Sequence, residues 1–132
     1  MALKIALKPQ EKLIIGGAVI QNGKNRSEFA VENNVAVLRE KDIMREEEAT
    51  TYCSRIYFVI QLMYIDAGNI VGYHNTYWSL VKDLVGAVPS ALIHIDKISE
   101  HILKSEYYQA LKSARKLIEY EREVLDRVRK ST

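Results

Sequence analysis

Apolar and polar positions alternate along the first third of the chain and then change period. From Leu3 to about Arg39 apolar residues recur at every second position or in short β-branched runs. Beyond Glu46 they recur at three and four residues, almost to the end. A period of two predicts half-buried strands and a period near 3.6 predicts amphipathic helices. The pattern thus divides the chain into a β unit over residues 1–45 and a helical unit over 46–132.

In the β unit Leu3, Ile5 and Leu7 share one face of a first strand, and Lys4, Ala6 and Lys8 share the other. Pro9-Gln10 ends it. Glu11 to Ile15 reads as a second strand, and Gly16-Gly17 can supply the two positive φ values of a tight hairpin. Ala18 to Gln21 returns, Asn22-Gly23 turns again, Arg26 to Glu32 places Phe29 and Val31 inward, and Val35 to Leu38 is a last apolar strand. The expectation is a small, twisted five-stranded antiparallel meander that needs a second layer to bury its face.

The helical unit predicts four helices. The first begins either at Glu46 or behind a Thr50 or Thr51 cap, and buries Ile56, Val59, Ile60 and Met63. Asp66 to Asn69 breaks it. The second carries Tyr73, Tyr77, Trp78, Val81, Leu84 and Val85 inward. After Pro89-Ser90 the third carries Leu92, Ile95, Ile98 and Ile102. Ser105 is the expected cap of the last, whose stripe runs Tyr108, Leu111, Ala114, Ile118, Leu125, Val128. Short breaks between helices predict an antiparallel bundle, hence an α+β chain.

Composition narrows this reading. Of 132 residues 48% are hydrophobic and 27% charged, as in a folded globular chain rather than a disordered one. No apolar run approaches the roughly 18 residues of a membrane span, and Lys4 and Lys8 interrupt the start where a secretory leader would be apolar. A single cysteine, Cys53, allows no internal disulfide, which fits a reducing cytoplasm. The net charge of +2 is uneven. Residues 1–45 hold eight bases against five acids, a net +3; the rest holds eleven against twelve, a net −1. The positive excess directs attention to an anionic partner at the β unit.

Catalytic chemistry is not legible. Gly16-Gly17 lacks the lysine and further glycines of a phosphate loop. His94 and His101 are seven apart on one helical face, but no carboxylate completes a metal set with both, so no metal or cofactor is expected. Cys53 reads as a small packing residue. Ten aromatic residues lie in the helical unit and one, Phe29, in the β unit. The first helix carries Tyr57, Phe58 and Tyr64, more rings than one buried stripe absorbs. Tyr57 is therefore the expected exposed anchor for a docked protein.

Five stretches carry a resemblance: Glu11 to Ile14, Val37 to Ile43, Arg55 to Tyr64, Ala87 to Leu92 and Tyr107 to Tyr120. In that order they closely resemble the FlbT family of flagellin regulators. The resemblance implies a non-enzymatic protein that acts after transcription, on the 5′ untranslated region of flagellin mRNA. The β unit is also similar to the carbon storage regulator CsrA, through Glu11, Leu13, Ile15 and Gly16 and through Val35 to Glu40. That similarity implies RNA contacts at Arg39, Lys4, Ile5 and Lys8, and strand edges covered by a homodimer. Leu7 and Leu38 depart from that family's usual basic residue and histidine. The alternative for Arg39 is an ion pair with Glu40 or Asp42. The alternative for the whole chain is a flagellar chaperone or adaptor, whose bundle holds flagellin or the companion regulator FlaF.

Overall fold

The computed structural model describes residues 2–131. They form two compact units, one ending at Ile43 and one beginning at Met44. The architecture is α+β: five short antiparallel strands, then four helices.

The strands are β1 (Leu3–Leu7), β2 (Lys12–Ile15), β3 (Ala18–Gln21), β4 (Ser27–Val31) and β5 (Val37–Arg39). They make two sheets rather than the expected single meander. β1 pairs with β4, Ile5 opposite Phe29, and β2 pairs with β3 and β5, Leu13 opposite Arg39. Gly16 and Gly17, at φ 55° and 86°, turn β2 into β3 as the sequence predicts. Asn22-Gly23 makes no second hairpin, because the Asn22 amide is used to pin a crossover. It donates to the Lys8 carbonyl at 2.8 Å and to the Asn25 carbonyl at 3.0 Å, and its oxygen accepts from Ser27 Oγ at 2.9 Å. β4 is thereby delivered to β1 instead of to β3.

Both sheets contribute to one small core. Ile5, Leu7, Leu13 and Val37 are buried in it, and Ile15, Phe29 and Val31 pack around them. Leu3 falls outside, 52% exposed at the strand start. Ile14 and Leu38, opposite each other on β2 and β5, are buried on the other face of their sheet.

The helices are α1 (Tyr52–Ile65), α2 (Ile70–Ala87), α3 (Leu92–Leu103) and α4 (Tyr107–Lys130). Of the two starts open for α1, Thr51 is the cap: its Oγ1 accepts from Ser54 N–H at 3.1 Å and Ser54 Oγ accepts from Thr51 N–H at 2.8 Å. Glu46–Glu48 form a separate 3₁₀ turn. Buried Gln61 clamps the chain entering the unit, accepting from Met44 N–H at 2.7 Å and donating to Met44 O at 2.9 Å. α1 packs on α2 and α4, α3 packs on α4, and Tyr77 Oη meets Ser99 Oγ at 2.8 Å between α2 and α3.

The buried stripes of α1 and α3 largely follow the expected spacing, except that Leu92 is 47% exposed. α4 departs from it. Ala110, Leu111, Ala114 and Leu117 are buried, while Tyr108, Leu125 and Val128 are exposed. Ser105 does not cap α4; it adopts a left-handed φ of 59° inside the α3–α4 turn, and α4 starts behind Glu106 without a side-chain cap. Trp78 is 41% exposed, its ring edge-on to buried Tyr77 at 4.9 Å.

Candidate functional site

Arg39 ends β5, and its guanidinium reaches across to the other sheet. Nη2 donates to the Ala6 carbonyl at 2.7 Å and lies 3.4 Å from Glu11 Oε2. Glu11 is set by the β1–β2 turn. Glu11 N–H bonds the Lys8 carbonyl at 3.1 Å, with Gln10 in the left-handed region at φ 64°, and Glu11 Oε1 accepts from Lys8 N–H at 2.9 Å. The Lys8 N–H holds the Glu11 carboxyl below its ordinary 4.5, and the Arg39 charge adds to this against the opposing pull of burial. The ion-pair partner of Arg39 is therefore Glu11, 28 residues away, rather than Glu40 or Asp42. Glu40 has another task, accepting from Lys12 N–H at 3.2 Å.

The Arg39 side chain remains 41% exposed against 14% for Glu11. Together with Lys8, Pro9, Gln10, Glu40 and Lys41 they line one shallow depression of the β unit. Three bases around two carboxylates leave it net positive. Its outline suits an anion, because a guanidinium fixed at one nitrogen keeps a planar fork for phosphate or a base edge.

Lys8 and Arg39 share this depression. Lys4 does not line it. It is exposed on the outer face of β1 and borders a second depression with Ile5, Ala6, Glu28, Phe29 and Ala30. Ala6, whose carbonyl holds Arg39, lines that second depression, so the two adjoin. Ile5 requires a correction. The residue is 4% exposed and belongs to the core of the β unit, so it is a packing residue and not an open contact position. Strand alternation places Ile5 inward, and that period outweighs the position-by-position resemblance. Two lining residues lie beyond the sequence reading, Lys41 and Glu11. Lys41 is visible as a base just after the last strand, whereas no spacing rule links Glu11 to Arg39.

Tyr57 is the second correction. Its ring is 1% exposed, with the Arg115 guanidinium 4.7 Å above it and Arg115 Nη2 donating to Tyr57 Oη at 3.0 Å. α1 is covered by both α2 and α4, so it buries two stripes, and the ring expected outside lies under α4. Tyr57 is a packing residue and not an exposed anchor.

The three histidines each have a partner within the helical unit. His74 Nε2 lies 3.1 Å from Tyr107 Oη, His101 Nδ1 lies 3.0 Å from Glu106, and the His94 ring packs on Tyr120 at 4.8 Å. Burial, with Glu121 beside it, pushes the Cys53 thiol up to about 12, which leaves it a poor nucleophile. Among the described residues no group of three or more His, Cys, Asp or Glu is placed to hold a metal, and no helix is long and apolar enough to cross a membrane.

The family match and three relatives agree on what this chain is similar to. The family described as "Flagellar protein FlbT" matches residues 3–125. A relative from Caulobacter sp. (strain K31), named a probable flagellum biosynthesis repressor protein FlbT, is 43% identical over 97% of this chain and 99% of its own length. The flagellum biosynthesis repressor protein FlbT of Caulobacter vibrioides (strain ATCC 19089) is 41% identical over 97% of this chain and 92% of its own. A Bradyrhizobium diazoefficiens relative with the probable-repressor name is 46% identical over 92% and 83%. No solved structure matches the chain. The chain belongs to the FlbT family of flagellar proteins.

Proposed function

We propose that this chain represses flagellum biosynthesis after transcription, by binding the 5′ untranslated region of a flagellin mRNA through its β unit. The observation that carries the reading is Arg39. It is anchored on Ala6, still 41% exposed, and set among Lys8 and Lys41 in a net-positive depression. An RNA phosphate entering there competes with Glu11 for the guanidinium, and Lys8 and Lys41 add charge without ordering a base. Occupying the leader of the message in this way blocks translation, the work is done in the cytoplasm, and it needs no cofactor. The repressor names of the relatives support the outcome, and the resemblance of β2 and β5 to CsrA supports the RNA.

A second reading keeps the chain in flagellar assembly, with the bundle docking flagellin or FlaF. Val71, 71% exposed, and Trp78, 41% exposed, favour it: seven residues apart, they share one face of α2. A pull-down of the full chain from cells, scored for RNA and for protein together, separates the two. Recovery of flagellin leader RNA supports the first reading. Recovery of flagellin or FlaF without that RNA replaces it with the second.

A further inference from the structure

The β unit has one aromatic residue, Phe29, and it packs on the core. Stacking, which supplies much of the grip on single-stranded RNA, must come from elsewhere if it is used at all. The first three turns of α4 offer it. Residues 107–118 carry Lys112, Arg115 and Lys116 and no acid, whereas residues 119–130 carry four of each sign. Arg115 is occupied with Tyr57. Tyr108, Lys112 and Lys116 are all exposed and stand four residues apart, so they form one stripe about 12 Å long.

Among the described residues of α4, Tyr108 is the only exposed tyrosine, at 38%. Tyr64 of α1 braces its ring at a centroid distance of 5.7 Å, and the Lys112 ammonium sits 4.9 Å from its centroid. A lysine over an exposed ring marks a surface that accepts a flat π system and a negative charge side by side. A base can take the place of the ammonium, which then moves on its flexible stem to the adjoining phosphate.

We infer that Tyr108, with Lys112 and Lys116, forms a second RNA contact in which one base stacks on the ring and the lysines hold the flanking phosphates. The inference rests on the RNA reading of the β unit and assigns the stacking that the β unit lacks.

The test uses the full chain and a labelled flagellin leader transcript. Tyr108→Leu keeps an apolar side chain against Tyr64 and removes the ring; it should weaken binding about tenfold, the low to middle range for one stacked base. Tyr108→Phe keeps the ring and should bind within about twofold of the native chain, because stacking does not need the hydroxyl. Lys112→Gln should lower the log–log salt slope by about 0.7. Ultraviolet cross-linking of the native complex adds a location, with an adduct expected in the 107–116 segment.

A folded Tyr108→Leu chain with native affinity, and no adduct there, overturns the inference. If Lys8→Ala still weakens binding, the β-unit reading survives that failure. An adduct confined to α4, with Lys8→Ala silent, supports the stacking contact and removes the β unit instead. A Tyr108→Leu chain that binds the leader normally but loses flagellin or FlaF in a paired pull-down assigns the ring to a protein and overturns the RNA contact.

Discussion

Cutting Tyr57 to alanine should damage the fold and leave no docking defect of its own. The ring is 1% exposed and carries Arg115 at 4.7 Å over its face. Truncating a large buried aromatic costs about 3–5 kcal/mol, counting lost burial and the cavity left behind. Tyr57→Phe keeps the ring and the stacked guanidinium and loses the 3.0 Å hydrogen bond, which is worth about 1 kcal/mol. At roughly 3–5 °C per kcal/mol for a chain of this size, the alanine variant should melt roughly 10–20 °C lower and the phenylalanine variant a few degrees lower. Urea titration followed by fluorescence of Trp78, the one tryptophan, reads the helical unit directly. A Tyr57→Ala chain within about 1 kcal/mol of native would refute the buried placement and reopen the exposed-anchor reading.

Three further outcomes are expected. Gln61→Ala strips both bonds from the Met44 main chain and should cost about 1–3 kcal/mol in a urea titration; Gln61→Leu should fare no better, since the deficit is polar and not one of volume. Glu11 is held below its ordinary 4.5 in the folded chain, so it contributes stability above that value and loses it as pH falls through the lower folded value. Acid titrations of the native and Glu11→Gln chains should therefore differ near neutral pH and converge in acid; a constant difference would contradict the Lys8 and Arg39 contacts. The two-stranded β1–β4 sheet offers strand edges to a second copy, and a homodimer is expected at micromolar concentration, so that sedimentation showing only 15.1 kDa particles would rule it out.

How much of this is legible in the sequence depends on the range of the interaction. The change of period marks both units and every helix, because burial of a stripe is a local and repeated signal. The Gly16-Gly17 turn is readable for the same reason. Sheet partnering is not. Asn22-Gly23 has the look of a hairpin, but the Asn22 side chain bonds the end of β1 and turns the segment into a crossover. Stripe boundaries fail where a helix meets two neighbours. α1 buries Tyr57 under α4, and α4 in turn shifts its stripe so that Tyr108 faces outward. In the site, Arg39 and Lys8 are visible as bases beside strand ends. The Glu11 partnership is invisible, because it needs β5 to lie beside β2, with Leu13 opposite Arg39, and a preceding turn whose geometry depends on a left-handed Gln10.

Titration of a flagellin leader transcript against Lys8→Ala and Arg39→Gln chains, across a series of salt concentrations, tests the RNA reading most directly. Lys8 is exposed, so its removal leaves the fold intact. Arg39→Gln gives up the 2.7 Å bond to Ala6 and the 3.4 Å contact with Glu11 and should cost about 1–3 kcal/mol of stability while staying folded. Each variant should bind more weakly, with a log–log salt slope smaller by about 0.7 for each phosphate no longer neutralised. Folded variants that bind the leader with native affinity and native slope would contradict the placement of RNA on the β unit.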